Sequence, residues 1–121
     1  MIECGVCAFF GLNGEAEEPC EQDVVESELM HFCCECGRHI DKGRKHEYSY
    51  GFSEGERWEM RTCIICAEIR EAFCCDGYVF GDLWKAMEEV SSQMNISCLD
   101  RLSTPEAKAE LQRRWMVWKG L

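Results

Sequence analysis

Two short stretches decide how this chain is read: Cys33-Cys34-Glu35-Cys36-Gly37-Arg38 and Arg61-Thr62-Cys63-Ile64-Ile65-Cys66. Each holds a Cys-x-x-Cys pair, Cys33/Cys36 and Cys63/Cys66, and 26 residues separate the two pairs. A tight turn with cysteines at this spacing aims two sulfurs at one ion, and Zn²⁺ prefers four soft donors in a tetrahedron with Zn–S of about 2.3 Å. Gly37 follows the first pair directly, where a backbone curling round a metal needs a conformation that glycine adopts at least cost. The pattern predicts one structural Zn²⁺ held by Cys33, Cys36, Cys63 and Cys66. With four positions filled, none is open to water or substrate.

The intervening residues predict a hairpin. Tyr48, Tyr50 and Phe52 alternate with polar residues, as do Trp58 and Met60, and Ser53-Glu54-Gly55-Glu56 supplies a turn. Lys42-Gly43 introduces it. After Cys66 the period changes: Ile65, Ile69, Ala72 and Phe73 fall at helical spacing, with Glu68, Arg70 and Glu71 on the other side. In a zinc ribbon both Cys-x-x-Cys turns lead into glycine and strand. Here the second pair opens a helix, whose positive dipole end favours thiolates.

Turn, hairpin and ligand-bearing helix resemble a treble-clef zinc finger. The expected fold class is therefore α+β, a zinc-stabilised treble-clef-like module of zinc knuckle, β-hairpin and helix with additional carboxy-terminal helices. Phe80, Leu83, Trp84, Met87 and Val90 form the apolar stripe of a second helix. A third begins at Ser103-Thr104-Pro105-Glu106, an S-x-x-E capping box with an early proline, and carries Ala107, Leu111, Trp115 and Trp118 on its apolar face. The expected organisation is an acidic extension read as loop (1–32), the zinc module (33–76) and a helical extension packed on it (77–121).

Cysteine makes up 11 of 121 residues, an odd number. Met1-Ile2-Glu3-Cys4 has no positive or apolar leader character, and no apolar run is long enough to cross a bilayer. The expectation is a cytoplasmic protein whose cysteines serve metal rather than disulfides. Cys4/Cys7 is a second half-site without a partner pair; His31, Cys20, Cys74, Cys75 and Cys98 are candidates to complete it, with no choice among them. Cys34 stands beside Cys33, but Cys34-x-Cys36 is the poorer spacing. His31, His39 and His46 read as surface or turn residues.

The net charge is −10 and uneven: residues 1–32 hold eight acids and no Lys or Arg, while 101–121 hold two acids and five bases. Such acidity disfavours general attraction to nucleic acid or anionic lipid and suits a basic partner. The stretch 15–28, with seven carboxylates, reads as a solvated tail or as a surface mimicking nucleic acid. The exception is the cluster Arg38, His39, Lys42, Arg44, Lys45 and His46, which points to a nucleic-acid-binding regulator as the alternative function. No H-E-x-x-H helix, H-x-E with P-C-x-x-C, or G-x-S-x-G elbow is present, so no enzyme is expected.

Taken with Gly55, Trp58, Ile69-Arg70 and Gly81-Asp82-Leu83-Trp84, the two cysteine stretches resemble a group of small zinc-binding proteins encoded by bacteriophages and prophages. The resemblance runs from about residue 30 to the carboxyl end. It implies the same four metal ligands and a setting in the bacterial host cytoplasm. By analogy, the resemblance implies a non-enzymatic accessory protein expected to act through protein–protein interaction, modulating or inhibiting a host protein, including one of antiviral defence.

Overall fold

A computed structural model describes residues 4–8, 19–75 and 77–120. In order the chain runs β1 (Glu21–Val25), β2 (His31–Phe32), β3 (His39–Ile40), β4 (His46–Ser53), β5 (Glu56–Cys63), α1 (Ile64–Phe73), α2 (Leu83–Glu89) and α3 (Pro105–Trp118). Short 3₁₀ turns at Ser91–Gln93 and Ile96–Arg101 join α2 to α3. The fold is mixed α+β, with a three-stranded antiparallel sheet in the order β1-β4-β5 and a two-stranded one, β2-β3. Among the described residues no helix is long and apolar enough to cross a membrane.

The hairpin β4–β5 pairs from Ser53↔Glu56 at its tip to His46↔Cys63 at its base. Glu54 and Gly55 form the tip with φ of 54° and 83°. Two successive positive values give the turn whose twist matches that of paired strands. The two aromatic runs lie on opposite faces, because paired residues share a face and successive residues alternate. Tyr48 and Tyr50 share theirs with Arg61 and Glu59, and the Arg61 and Arg57 guanidiniums stack on the Tyr48 and Tyr50 rings at 4.6 Å. Trp58 and Met60 face inward opposite Gly51 and Ser49.

The amino-terminal extension is not all loop. Glu21–Val25 is a strand, in register from Glu21↔Tyr50 to Val25↔His46. Gln22 Nε2 donates to Glu47 Oε1 at 3.2 Å, Ser49 Oγ at 2.9 Å and the Tyr78 hydroxyl at 2.8 Å, giving this polar strand partners that its weak apolar pattern does not announce. Residues 15–18 of the acidic stretch lie outside the described residues.

The helices bury much of the stripes expected of them: Ile69, Phe73, Leu83, Met87 and Leu111 are fully buried together with Ile40, while Trp115 and Trp118 are half-buried and Phe80, read into the second stripe, precedes α2. Two further assignments change. Arg70, placed on the polar side of α1, is 3% exposed. Its guanidinium pairs with Glu47, reaches Glu35 Oε2 at 3.9 Å, and lies over the rings of Tyr78 at 4.1 Å and Phe80 at 5.3 Å. At α3 the cap is Thr104, whose Oγ1 accepts from Ala107 N at 3.3 Å. The free amides of Ser103 and Thr104 donate to Glu68 of α1 at 2.6 and 3.2 Å, so a neighbouring helix supplies the carboxylate that a capping box supplies locally.

Candidate metal centre

The first cysteine pair is positioned by the turn between β2 and β3. Cys33 N donates to Arg38 O and Gly37 N donates to Cys33 O, each at 2.9 Å, and Gly37 takes a φ of 72°. That left-handed value is the one place in the turn where glycine is required. The second pair is positioned by the junction of β5 and α1. Cys63 ends the strand and caps the helix, its sulfur accepting from Cys66 N at 3.4 Å.

The base of the hairpin and the turn thus meet. The sulfurs of Cys33, Cys36, Cys63 and Cys66 lie within 4.8 Å of one another. Sulfurs round a tetrahedral zinc are about 3.8 Å apart, and Cys36 Sγ stands 3.9 Å from Cys63 Sγ. Cys33 and Cys66 are buried, Cys36 and Cys63 half-buried. The backbone amides of Glu35 and Cys63 both point at Cys33 Sγ, at 3.4 and 3.3 Å. Amides aimed at a sulfur favour its thiolate and fix its orientation, as outer partners of a metal ligand do. This group can hold a metal ion, and its donor chemistry fits a soft dication.

Proton sharing within the group follows. Hydrogen bonds from the Cys63 and Cys66 thiols, with the backbone amides of Cys36 and Cys63, hold Cys33 far below the ordinary thiol range. Cys63, whose proton is engaged by Cys33, is pushed up to about 12, and Cys66 is raised for the same reason. One thiolate therefore forms first, and a bound dication must displace the remaining protons, which makes metal affinity fall with acid.

Cys34 is not in the group. Its Sγ lies 3.3 Å from Thr62 Oγ1, and burial pushes it up to about 12. Glu35, between the ligands, turns away as well. Its Oε1 accepts from the amides of Gly81 and Leu83 at 2.9 and 3.1 Å, which fixes the start of α2 against the cysteine turn. Burial raises its carboxyl, and Oε2 has no hydrogen-bond donor, only the Arg70 guanidinium nearby.

The histidines are not ligands. His46 is buried rather than on a surface or turn: Nδ1 donates to Arg44 O at 2.9 Å and Nε2 accepts from Arg61 Nη1 at 2.8 Å. Both ring nitrogens are used, which fixes the neutral tautomer at the base of the hairpin. His31 Nε2 is 2.9 Å from Ser27 Oγ, and His39 is exposed.

Cys4 and Cys7 do not form an open half-site. They are joined in disulfides, Cys4 to Cys98 and Cys7 to Cys75, across 94 and 68 residues. Spacing gave no sign of these pairings, because the partners lie 68 and 94 residues away, one just past α1 and one in the 3₁₀ turn at Ile96–Arg101. Cys20, Cys34 and Cys74 remain free outside the four-sulfur group.

Beside Cys63 the surface dips into a cavity of about 390 Å³ lined by Arg38, His39, Arg44 and Lys45 over Ile40, Ile64 and Ile65. The basic cluster read from the sequence therefore faces one concave surface, apart from His46, which is inside, and Lys42. Arg38 is partly engaged: Nη2 donates to both oxygens of Glu110 at 3.0 Å.

Comparison with protein-family models, with curated proteins and with solved structures gives no match.

Proposed function

We propose that this chain is a non-enzymatic structural-zinc protein, with a treble-clef module extended by two helices, that acts by binding another protein. The observation that carries this reading is the position of the four-sulfur group, enclosed where the cysteine turn, the hairpin base and the first turn of α1 meet. Four thiolates fill a tetrahedral zinc and leave no position for water, so the metal serves the fold. The order of turn, hairpin and ligand-bearing helix supports the treble-clef reading.

Acidity supports a basic or nucleic-acid-binding protein as partner, since zinc with four thiolates adds about −2 to a chain already at −10. The resemblance to phage and prophage proteins supports a host protein in the bacterial cytoplasm, modulated or inhibited by this chain. A second reading, direct binding of nucleic acid, is favoured by the basic cavity.

Capture from nuclease-treated bacterial lysate, set beside titration of labelled DNA and RNA at low and moderate salt, tests the choice. Retention of a host protein by the zinc-loaded chain, lost after chelation, supports the first reading. Salt-sensitive nucleic-acid binding that Arg44→Glu with Lys45→Glu abolishes overturns it in favour of the second.

A further inference from the structure

Seven cysteines lie outside the four-sulfur group, and the fold gathers four of them at the opposite end of α1. Cys4 and Cys7 keep the Cys-x-x-Cys spacing on the segment 4–8, which is laid along the end of that helix: Ala8 N donates to Phe73 O at 2.8 Å. Their partners are Cys75, just past α1, and the fully buried Cys98 of the 3₁₀ turn. Arg101 ties the segment down, donating to Val6 O at 2.6 Å and to Ala72 O.

We propose that, when the two disulfides are reduced, Cys4, Cys7, Cys75 and Cys98 form a second tetrathiolate site for a soft divalent cation. In a reducing environment the two disulfides open. Opening them leaves two thiols, half-buried and already at ligand spacing, on the segment 4–8, each beside its former partner, the exposed Cys75 or the buried Cys98. Within each former disulfide the Cα–Cα separations, 4.8 and 5.8 Å, let side-chain rotation set the two sulfurs at the roughly 3.8 Å that a tetrahedral zinc requires.

Charge supplies a second, independent observation. The Arg101 guanidinium lies 3.5 Å from Cys4 Sγ and over the Phe73 ring at 4.3 Å, and among the described residues it has no carboxylate partner. A half-buried cation without a counter-ion is costly. A dication with four thiolates carries about −2 and supplies that counter-charge, while Arg101 donates to a ligand sulfur as outer partners of metal sites do.

The chemistry balances. Each disulfide takes two electrons and two protons from a dithiol, which leaves as its cyclic disulfide, and the four resulting thiols release four protons as the dication binds. In the oxidised state the disulfides staple the segment instead, so one constellation serves the fold in both environments.

The test is zinc stoichiometry of the full chain by native mass spectrometry, with the disulfides intact and after reduction with a phosphine. The expected result is one zinc per chain oxidised and two reduced. The second is lost in Cys7→Ser and in Cys98→Ser while the first zinc, whose four sulfurs are untouched, is kept, which separates this site from the first. Cobalt titration of the reduced wild type adds a readout that needs no variant, since the thiolate-to-cobalt absorption doubles with the second equivalent. One zinc in both redox states overturns the proposal, as does a second zinc unaffected by both single variants or a second cobalt that adds no thiolate absorption.

Discussion

Arg38, in the turn that carries the first cysteine pair, donates to both carboxylate oxygens of Glu110, on α3, at 3.0 Å. This contact ties the metal-bearing turn to a helix 72 residues further along the chain. Glu110 is buried and also accepts from Arg113 and Arg114, so one carboxylate collects three guanidiniums. Burial alone raises its carboxyl, but hydrogen bonds from Arg113 and Arg38 outweigh that, and the net position lies below the ordinary value of 4.5.

Glu110→Gln is expected to lose about 2 kcal/mol of stability at neutral pH, the scale of hydrogen bonds to a charged group. A carboxyl lowered on folding stabilises the fold above its unfolded value and loses that contribution as pH falls through its folded one. The difference between wild type and variant in urea denaturation therefore stays constant above about pH 5 and shrinks below 4.5. A difference that grows on acidification contradicts this account of Glu110.

Arg70→Met removes the guanidinium with which both the fully buried Glu35 side chain and Glu47 pair. Breaking a buried pair from one side costs about 3–5 kcal/mol. The double variant Arg70→Met with Glu47→Gln is expected to recover part of the loss, which a double-mutant cycle in denaturant measures. Additive losses would show that the two side chains do not act on each other.

Gly51 is fixed by its neighbour across the hairpin. A Cβ built there would stand 2.4 Å from Trp58 Cζ2. Gly51→Ala must displace an indole that packs on Phe80 at 5.3 Å between ring centres. The expected cost is about 1–3 kcal/mol, as for overpacking elsewhere, together with a shift of tryptophan emission that Gly5→Ala, with open space at its Cβ, does not produce.

Cys34→Ser and Cys33→Ser separate a bystander from a ligand one residue away. The first changes a sulfur that meets Thr62 Oγ1 and is expected to retain the metal. The second removes the sulfur at which two backbone amides point and is expected to abolish tetrathiolate binding. Cobalt absorption reads both.

Much of this was legible locally. Cysteine spacing and Gly37 marked the four sulfurs that the fold brings together, and the periods of α1, α2 and α3 marked the stripes that it buries. What sequence could not supply was long-range. Glu21–Val25 has almost no apolar alternation and becomes a strand only because β4 offers an edge and Gln22 finds three partners. Arg70 reads as a solvent-facing cation until Glu35, Glu47, Tyr78 and Phe80 arrive from three other segments. The pairings of Cys4 and Cys7 depend on where residues 75 and 98 are carried by helices.

The most direct test of the central claim is metal content with chelation, on protein whose two disulfides are intact. One zinc per chain is predicted, with circular dichroism showing the fold lost on removal and restored on return, since structural zinc contributes on the order of 10 kcal/mol in small domains. A purified chain free of transition metal that keeps its fold, with the Cys33, Cys36, Cys63 and Cys66 thiols all open to alkylation, would contradict it.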